Sequence, residues 1–447
     1  MLKEITRRFK PFFVEIRKSP LKIFKSAGLI PLYNFILKSP LKEIIDDEFR
    51  DQRNQHCIRY LVSELLVSIL LRLIDGSIRL YHFRHKVNDE FFSRLFAVGK
   101  VPHFTTLIYF IKRNISHAHV FLERILFRYS IWVLRQEILS QSLKTITIDV
   151  DATASTVYGS QEGAEKGYNP EKMNAKCYQL QVWSVRETKT LLKVELRRGS
   201  VHCSNGFLPD LKILVPELKK LGVKIRLVAD SGYENYEVFE YLEKMGVGFI
   251  IAQKQRKVVK NAGKWAKNRR NSCKYDCTLK ERRLETKSGT YRQIFIQVDK
   301  VYDEDGQLFI VDFVSDEFTN VFATNMVLTS ENIYALYREH AQVETIIGEL
   351  KSGFGSVKSH CEKFDVNQSL TQLCGIAYNI KTLYASQILK YEDRIPDIKT
   401  LRDEELHIPG YFANHSGREV FNAIASSFKR FSMIFHRVNE FQSSGLF

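Results

Sequence analysis

The sequence predicts an α/β protein: a mixed sheet flanked by helices, interrupted by a β-rich insertion and preceded by an all-helical region. Three observations carry this. Apolar residues recur at three- and four-residue spacing as far as Ser140. Beyond it, alternating β-branched runs interleave with amphipathic ones, the order of strands and helices sharing one sheet. A strongly basic stretch from Lys254 then leads into further strand-like runs before helical spacing returns at Ser330. The organisation expected is a helical region over 1–140, a core in two parts over 141–252 and 326–390, an insertion over 253–325, and a helical C-terminal region over 391–447.

In the first region Lys-Ser-Pro-Leu-Lys occurs at 18–22 and again at 38–42. Each serine reads as an N-cap with proline at the first helical position. Helices are expected over Ile58–Leu73, Thr105–Asn114 and His119–Ser140. The core opens with strands Thr145–Asp151, Cys177–Val185 and Thr190–Arg197. Helix 207–221, strand Ile225–Ala229, helix Tyr233–Lys244 and strand Gly248–Ala252 follow. The insertion contributes strands Tyr291–Val298, Leu308–Val314 and Val321–Ala323. One helix over Ser330–Leu350 resumes the core, and the tail is helical over Leu370–Leu389 and Glu419–Phe435.

A formal charge of +16 on 447 residues points to a polyanionic partner, nucleic acid first. The charge is gathered in two places. Lys254–Arg292 holds 14 Lys or Arg against Asp276, Glu281 and Glu285, and the first 40 residues hold 9 against Glu4 and Glu15. Charge concentrated in this way reads as phosphate contact, with Lys254, Arg256, Lys257, Arg269 and Arg270 as candidates. Seven scattered cysteines, with no second pair beside Cys273 and Cys277, exclude a disulfide framework and a zinc site, and are expected as reduced thiols. His82, His85, His117 and His119 have no acidic or Cys cluster beside them and read as surface or packing residues. Charges interrupt the apolar stretches of the amino terminus, and the longest apolar run, Tyr60–Ile74, contains Glu64 and Arg72. Neither a signal peptide nor a membrane span is expected.

Three acids stand out by position. Asp151 ends the first strand in Thr-Ile-Asp-Val-Asp-Ala-Thr (147–153), and Asp230 ends the fourth in Leu-Val-Ala-Asp-Ser-Gly-Tyr (227–233). Carboxylates at the ends of neighbouring strands converge on one sheet edge, although either alone could simply cap a turn. Glu344 is the third. On a continuous helix Tyr337, His340, Glu344 and Lys351 fall within about 40° of one line, a phenol and bases flanking an acid. Such a face suits a metal that meets a phosphate; a solvated face with i, i+4 pairing is the alternative. Phosphodiester hydrolysis and transfer need an activated nucleophile and a neutralised leaving oxygen, which two divalent ions about 3.5–4 Å apart supply. Carboxylates without thiolates select Mg²⁺, for which Mn²⁺ can substitute.

With these residues in place the sequence resembles the insertion-sequence DDE transposases with an RNase H-like core, a β-insertion and a Tyr-Arg-Glu-Lys signature. Tyr337, Glu344 and Lys351 match the signature in register, and His340 stands where the family has Arg. Asp151-Ala-Thr153 matches the family's first aspartate, with Asp149 as the alternative, and Ala229-Asp230-Ser-Gly-Tyr233 matches the second. Gly159-Ser-Gln-Glu-Gly163, Pro102-His-Phe-Thr-Thr-Leu107 and Phe322-Ala-Thr-Asn325 resemble further family stretches, so the likeness runs from about Gly76 to Lys381. The resemblance implies cut-and-paste movement of an element bounded by inverted repeats, in the prokaryotic cytosol at the nucleoid. Asp151, Asp230 and Glu344 would hold two Mg²⁺ ions, while Tyr337, His340 and Lys351 grip the phosphates of the DNA end. It also implies a homodimer on paired ends and an insertion that holds DNA. There Trp265 is either a stacking platform for an extruded base or a packing residue.

Two other readings compete. Asp149-Val-Asp151-Ala-Thr153 also fits the Asp-x-Asp-x-Thr motif of haloacid-dehalogenase-like phosphatases, with Asp149 as nucleophile; that motif normally opens its domain, whereas 148 residues precede it here. A transposase-derived DNA-binding protein without catalysis is the other, favoured by His340 and opposed by the presence of all three carboxylates.

Overall fold

The computed structural model describes residues 23–442 except 52, 54–57, 80–81, 83–94, 96–101, 114–117, 255–265, 273–274, 287–288, 303–307, 310–318, 359–360, 392–393 and 417. The N-terminal region is helical as expected: α1 (Leu29–Lys38), α2 (Leu41–Glu48), α3 (Val62–Ile74), α4 (Phe104–Arg113) and α5 (Ala118–Gln141). Ser39 departs from expectation. Its hydroxyl donates back to the Ile36 carbonyl at 2.7 Å, closing α1 rather than capping α2. The earlier Ser-Pro repeat, at 18–22, lies outside the described residues.

The core then follows as β1 (Thr145–Thr156), β2 (Glu165–Lys166), β3 (Lys176–Val185), β4 (Thr190–Arg198), α6 (Phe207–Lys219), β5 (Lys224–Ala229), α7 (Tyr236–Lys244) and β6 (Gly248–Ala252). In space the main strands run β4-β3-β1-β5-β6. β1 and β3, and β3 and β4, pair antiparallel, whereas β5 lies parallel to β1 and β6 parallel to β5. This is the RNase H-like order. Because successive side chains on a strand point to opposite faces, Leu227, Ala229, Phe249 and Ile251 join the layer under α6 and α7, while Val228 and Ile250 join the opposite one.

The basic segment extends that sheet. β7 (Ala266–Ser272), β8 (Tyr275–Thr286), β9 (Gly289–Tyr302), β10 (Leu308–Phe309) and β11 (Thr319–Thr324) continue it from the β6 edge, because β11 pairs with β6 on one side and β9 on the other. Thr324 and Asn325 secure the junction: the Thr324 hydroxyl donates to Phe249 O at 2.6 Å, and Asn325 accepts from Phe249 N–H and donates to Val247 O.

The single helix expected over 330–350 is broken. α8 (Ser330–Arg338) gives way to a 3₁₀ turn at Glu339–Ala341, then α9 (Gln342–Glu349) and a π turn at Leu350–Phe354. The π turn stops at Gly355, whose φ of 75° and close approach to the Ile78 carbonyl leave no room for a Cβ. α10 (Phe364–Leu383) is buried almost throughout, against β4, α5 and α3. Its Asn379 accepts from Leu191 N–H and donates to Leu191 O, both at 2.8 Å, satisfying backbone groups on the outer side of edge strand β4. α11 (Ile398–Leu401), the hairpin β12 (Gly410–His415) and β13 (Arg418–Ala423), and α12 (Ala425–Glu440) finish the chain. The hairpin is a correction: helix was expected from Glu419, and the first residues of that stretch pair in β13 instead. No described helix is long and apolar enough to cross a membrane.

A buried ion network fixes the helix break to the sheet. Asp149, 1% exposed on β1, accepts from Arg186 Nε at 2.8 Å and Nη2 at 2.7 Å, and pairs with His340 Nδ1 at 2.8 Å. Arg186, just past β3, donates its remaining amino group to Leu336 O and to the Glu339 carboxylate. One carboxylate and one guanidinium thus tie two strands to the end of α8 and the turn after it. Replacing Arg186 with Met leaves the Asp149 carboxylate buried and half-paired, a loss of about 3–5 kcal/mol. Denaturant unfolding of Arg186→Met is expected to show this loss; an unchanged midpoint would show that the network does not hold the fold.

Candidate active site on the sheet edge

The two aspartates meet as neighbours. β1 and β5 pair in parallel as far as Val150 and Ala229, so Asp151 and Asp230 are the next residue on each strand. Here the sequence reading needs adjustment. Asp151 does not end β1, which runs on to Thr156 against β3; it is the first residue past the pairing with β5. The edge that exposes it is opened by β5 turning away.

Local sequence explains that turn. Asp230 accepts from Gly232 N–H at 2.8 Å and caps the 3₁₀ turn Ser231–Tyr233. A Cβ on Gly232 would lie 2.4 Å from Cys203 Sγ, so a side chain has no space there. Tyr233 anchors the turn from below, buried against Phe207 with its hydroxyl on Gln181. Asp151 accepts from Ala152 N–H at 2.7 Å. Each aspartate therefore spends one oxygen on backbone.

Glu344 comes from α9, exposed, and its charge reaches Asp151. Burial pushes the Asp151 carboxyl above the usual carboxylate range. The Ala152 N–H and His340 oppose that rise, and the Asp230 and Glu344 charges add to it. Tyr337 faces the same place. Its ring packs 4.3 Å from Phe322, and burial together with the Asp230 and Asp151 charges pushes its phenol up to about 12. Lys351, in the π turn, donates to Ala154 O at 3.3 Å, three residues beyond Asp151 on β1.

Asp151, Asp230 and Glu344 offer oxygen donors of the kind a hard divalent cation takes. Among the described residues, no three His, Cys, Asp or Glu side chains stand within common ligating reach.

His340 is placed differently from the other signature residues. It is 8% exposed, and its Nδ1 is committed to Asp149. Asp149 itself is enclosed by that ring and by Arg186, so it is spent on structure. Arg186 is the residue sequence reasoning missed; no spacing signals it, because its partners lie 37 and 153 positions away. In the insertion, Lys254 is exposed with its N–H on the Glu234 carboxylate. Arg269 and Arg270 lie on β7 opposite Thr278 and Cys277, their side chains outside the described set. Arg256, Lys257 and Trp265 lie outside the described residues.

No curated protein matches the chain. Among solved structures, a piggyBac transposase synaptic complex with hairpin DNA is similar at 11% identity and a TM-score of 0.39, over 84% of this chain and 78% of that one. A Mos1 transposase paired-end complex with left transposon end is similar at 12% identity and a TM-score of 0.17, over 50% and 76%. Residues 142–380 match the family model described as the transposase DDE domain. That span holds β1 through most of α10, with Asp151, Asp230 and Glu344 inside it, and the chain belongs to the transposase DDE domain family.

Proposed function

We propose that this transposase cleaves DNA and transfers strands in cut-and-paste movement of an insertion sequence, using Asp151, Asp230 and Glu344. One observation carries the reading: Asp151 and Asp230 follow the last paired residues of adjacent parallel strands, and Asp230 and Glu344 both bear electrostatically on Asp151. Two Mg²⁺ ions, or Mn²⁺ in their place, would be held there and would supply nucleophile activation and leaving-group neutralisation. Tyr337 stays a neutral donor throughout the working pH range and orients a phosphate oxygen. Lys351 adds positive charge along β1. His340 positions Glu344 by fixing the helix break to Asp149 rather than touching phosphate itself. The insertion cations, Lys254, Arg256, Lys257, Arg269 and Arg270, hold the DNA with Trp265. The partners are terminal inverted repeats and target DNA, engaged by a homodimer on paired ends in a prokaryotic cytosol.

The test is strand cleavage of DNA carrying the gene's own flanking inverted repeats, with Mg²⁺ or Mn²⁺. Wild type is expected to nick at the repeat ends. Glu344→Ala is expected to lose more than about a hundredfold, beyond what outer-shell partners of a metal cost. Tight binding of the repeats by wild type without metal-dependent nicking would instead make this a DNA-binding protein without catalysis.

A second outcome follows from the charge. Asp151 ionises less readily when folded than when unfolded, so its charge lowers stability at neutral pH, and that penalty disappears as pH falls into the ordinary carboxylate range. Asp151→Asn is therefore expected to melt at a higher temperature than wild type in metal-free buffer near neutral pH, with the gap narrowing towards acid. Adding Mg²⁺ is expected to raise the melting temperature of wild type and leave Asp151→Asn unmoved. Equal Mg²⁺ stabilisation of both proteins would remove Asp151 from the metal site.

A further inference from the structure

The connection from β1 to β3 contains the Gly159–Gly163 turn, and the reaction above gives it no task. It holds Tyr158, Tyr168 and Met173 at 85%, 82% and 83% exposure. Among the described residues only Val327 exceeds them in the set of exposed large apolar side chains. One such side chain in water is ordinary; three on one connection mark a contact surface.

This exposure is built in, since the backbone beneath is firmly tied. Asn169, 5% exposed, donates to Thr156 Oγ1 at 3.0 Å and accepts from Lys172 N–H. Gln179 donates to Tyr168 O at 2.7 Å, and Tyr178 donates to Glu162 O at 2.7 Å. Gly167 lies so close to the Gly199 carbonyl that a Cβ would overlap it. The rings therefore stand in solvent on a preorganised base, where binding has little ordering cost to overcome.

Charge identifies the occupant. Glu165 is turned to Ser200 and Arg198, Glu171 to Lys351, and Glu162 to the Phe364 N–H. Lys166, Lys172 and Lys176 are exposed and pair with no carboxylate among the described residues, and the Lys172 ammonium lies 5.1 Å over the Tyr158 ring. Aromatic rings interleaved with unpaired amines match stacked bases on a phosphate chain. The location agrees, because Thr156 lies about 17 Å along β1 from Asp151 and Lys351 contacts both β1 and Glu171 in between.

We propose that Tyr158, Tyr168 and Met173, with Lys166, Lys172 and Lys176, form a platform for unpaired DNA bases beside the carboxylate edge. The inference rests on the DNA-cleaving reading for its setting, and its test does not need cleavage. Binding of an oligothymidine strand of about 16 nucleotides would be measured in metal-free buffer by fluorescence anisotropy on the full-length protein. Tyr158→Ala with Tyr168→Ala is expected to weaken it at least about tenfold without changing the melting temperature. Tyr158→Phe with Tyr168→Phe, which keeps both rings, is expected to bind like wild type. Undiminished oligothymidine binding by the alanine pair would overturn the platform, as would phenylalanine variants no better than alanine. Loss of self-association with DNA binding intact would give the surface to a second copy of the chain and also overturn it. Ring-dependent binding in a wild type that never cleaves its repeats would leave the platform standing and remove the catalytic reading. Cleavage with ring-independent binding would do the reverse.

Discussion

Asp149 is a carboxylate almost without water, and burying such a group is costly unless its oxygens are paired and hydrogen-bonded. Arg186 fills them in a fork, and His340 adds a third contact. The consequence reaches well beyond the pair. Arg186 also binds the end of α8 and Glu339, so the turn before α9 cannot drift without exposing an unpaired charge. Glu344 sits four residues after His340, on the helix that follows the anchored turn. The break in the helix that sequence periodicity did not foresee is the place where the anchor attaches.

Against that background the carboxylate edge is electrostatically unfavourable. Asp151 is raised by burial first, and by its two acidic neighbours in addition. The sheet makes that arrangement possible. β5 leaves β1 after Ala229, the turn at Ser231–Tyr233 is packed from below by Phe207, and Asp151 is left facing the opening.

The basic insertion is physically continuous with this edge. β11 hydrogen-bonds to β6 and to β9, so strands of the insertion extend the core sheet instead of hanging from a linker. Phe322 on β11 then packs against Tyr337 of α8, which connects the inserted strands to the helix unit that carries Glu344. DNA held by the insertion cations would thus be registered to the carboxylates through backbone pairing and one aromatic contact.

Much of this was legible in the chain. Alternating apolar residues marked β3, β4 and β6 to within a residue or so, and strand-end position singled out Asp151 and Asp230. The Tyr337, Glu344 and Lys351 spacing pointed to Glu344 as the candidate third carboxylate, since short motifs depend on neighbours in sequence. Other features were not legible. The extension of β1 to Thr156 comes from β3 pairing, the β12–β13 hairpin overrode a helical pattern, and the α8–α9 break comes from a contact with Asp149. Sequence by itself determined which residue types stand at the sheet edge and in what order. Tertiary structure alone decided that Asp149 and His340 serve as an anchor while Asp151 faces the opening, because only the arrival of Arg186 from another strand makes one of two nearby aspartates a buried ion pair.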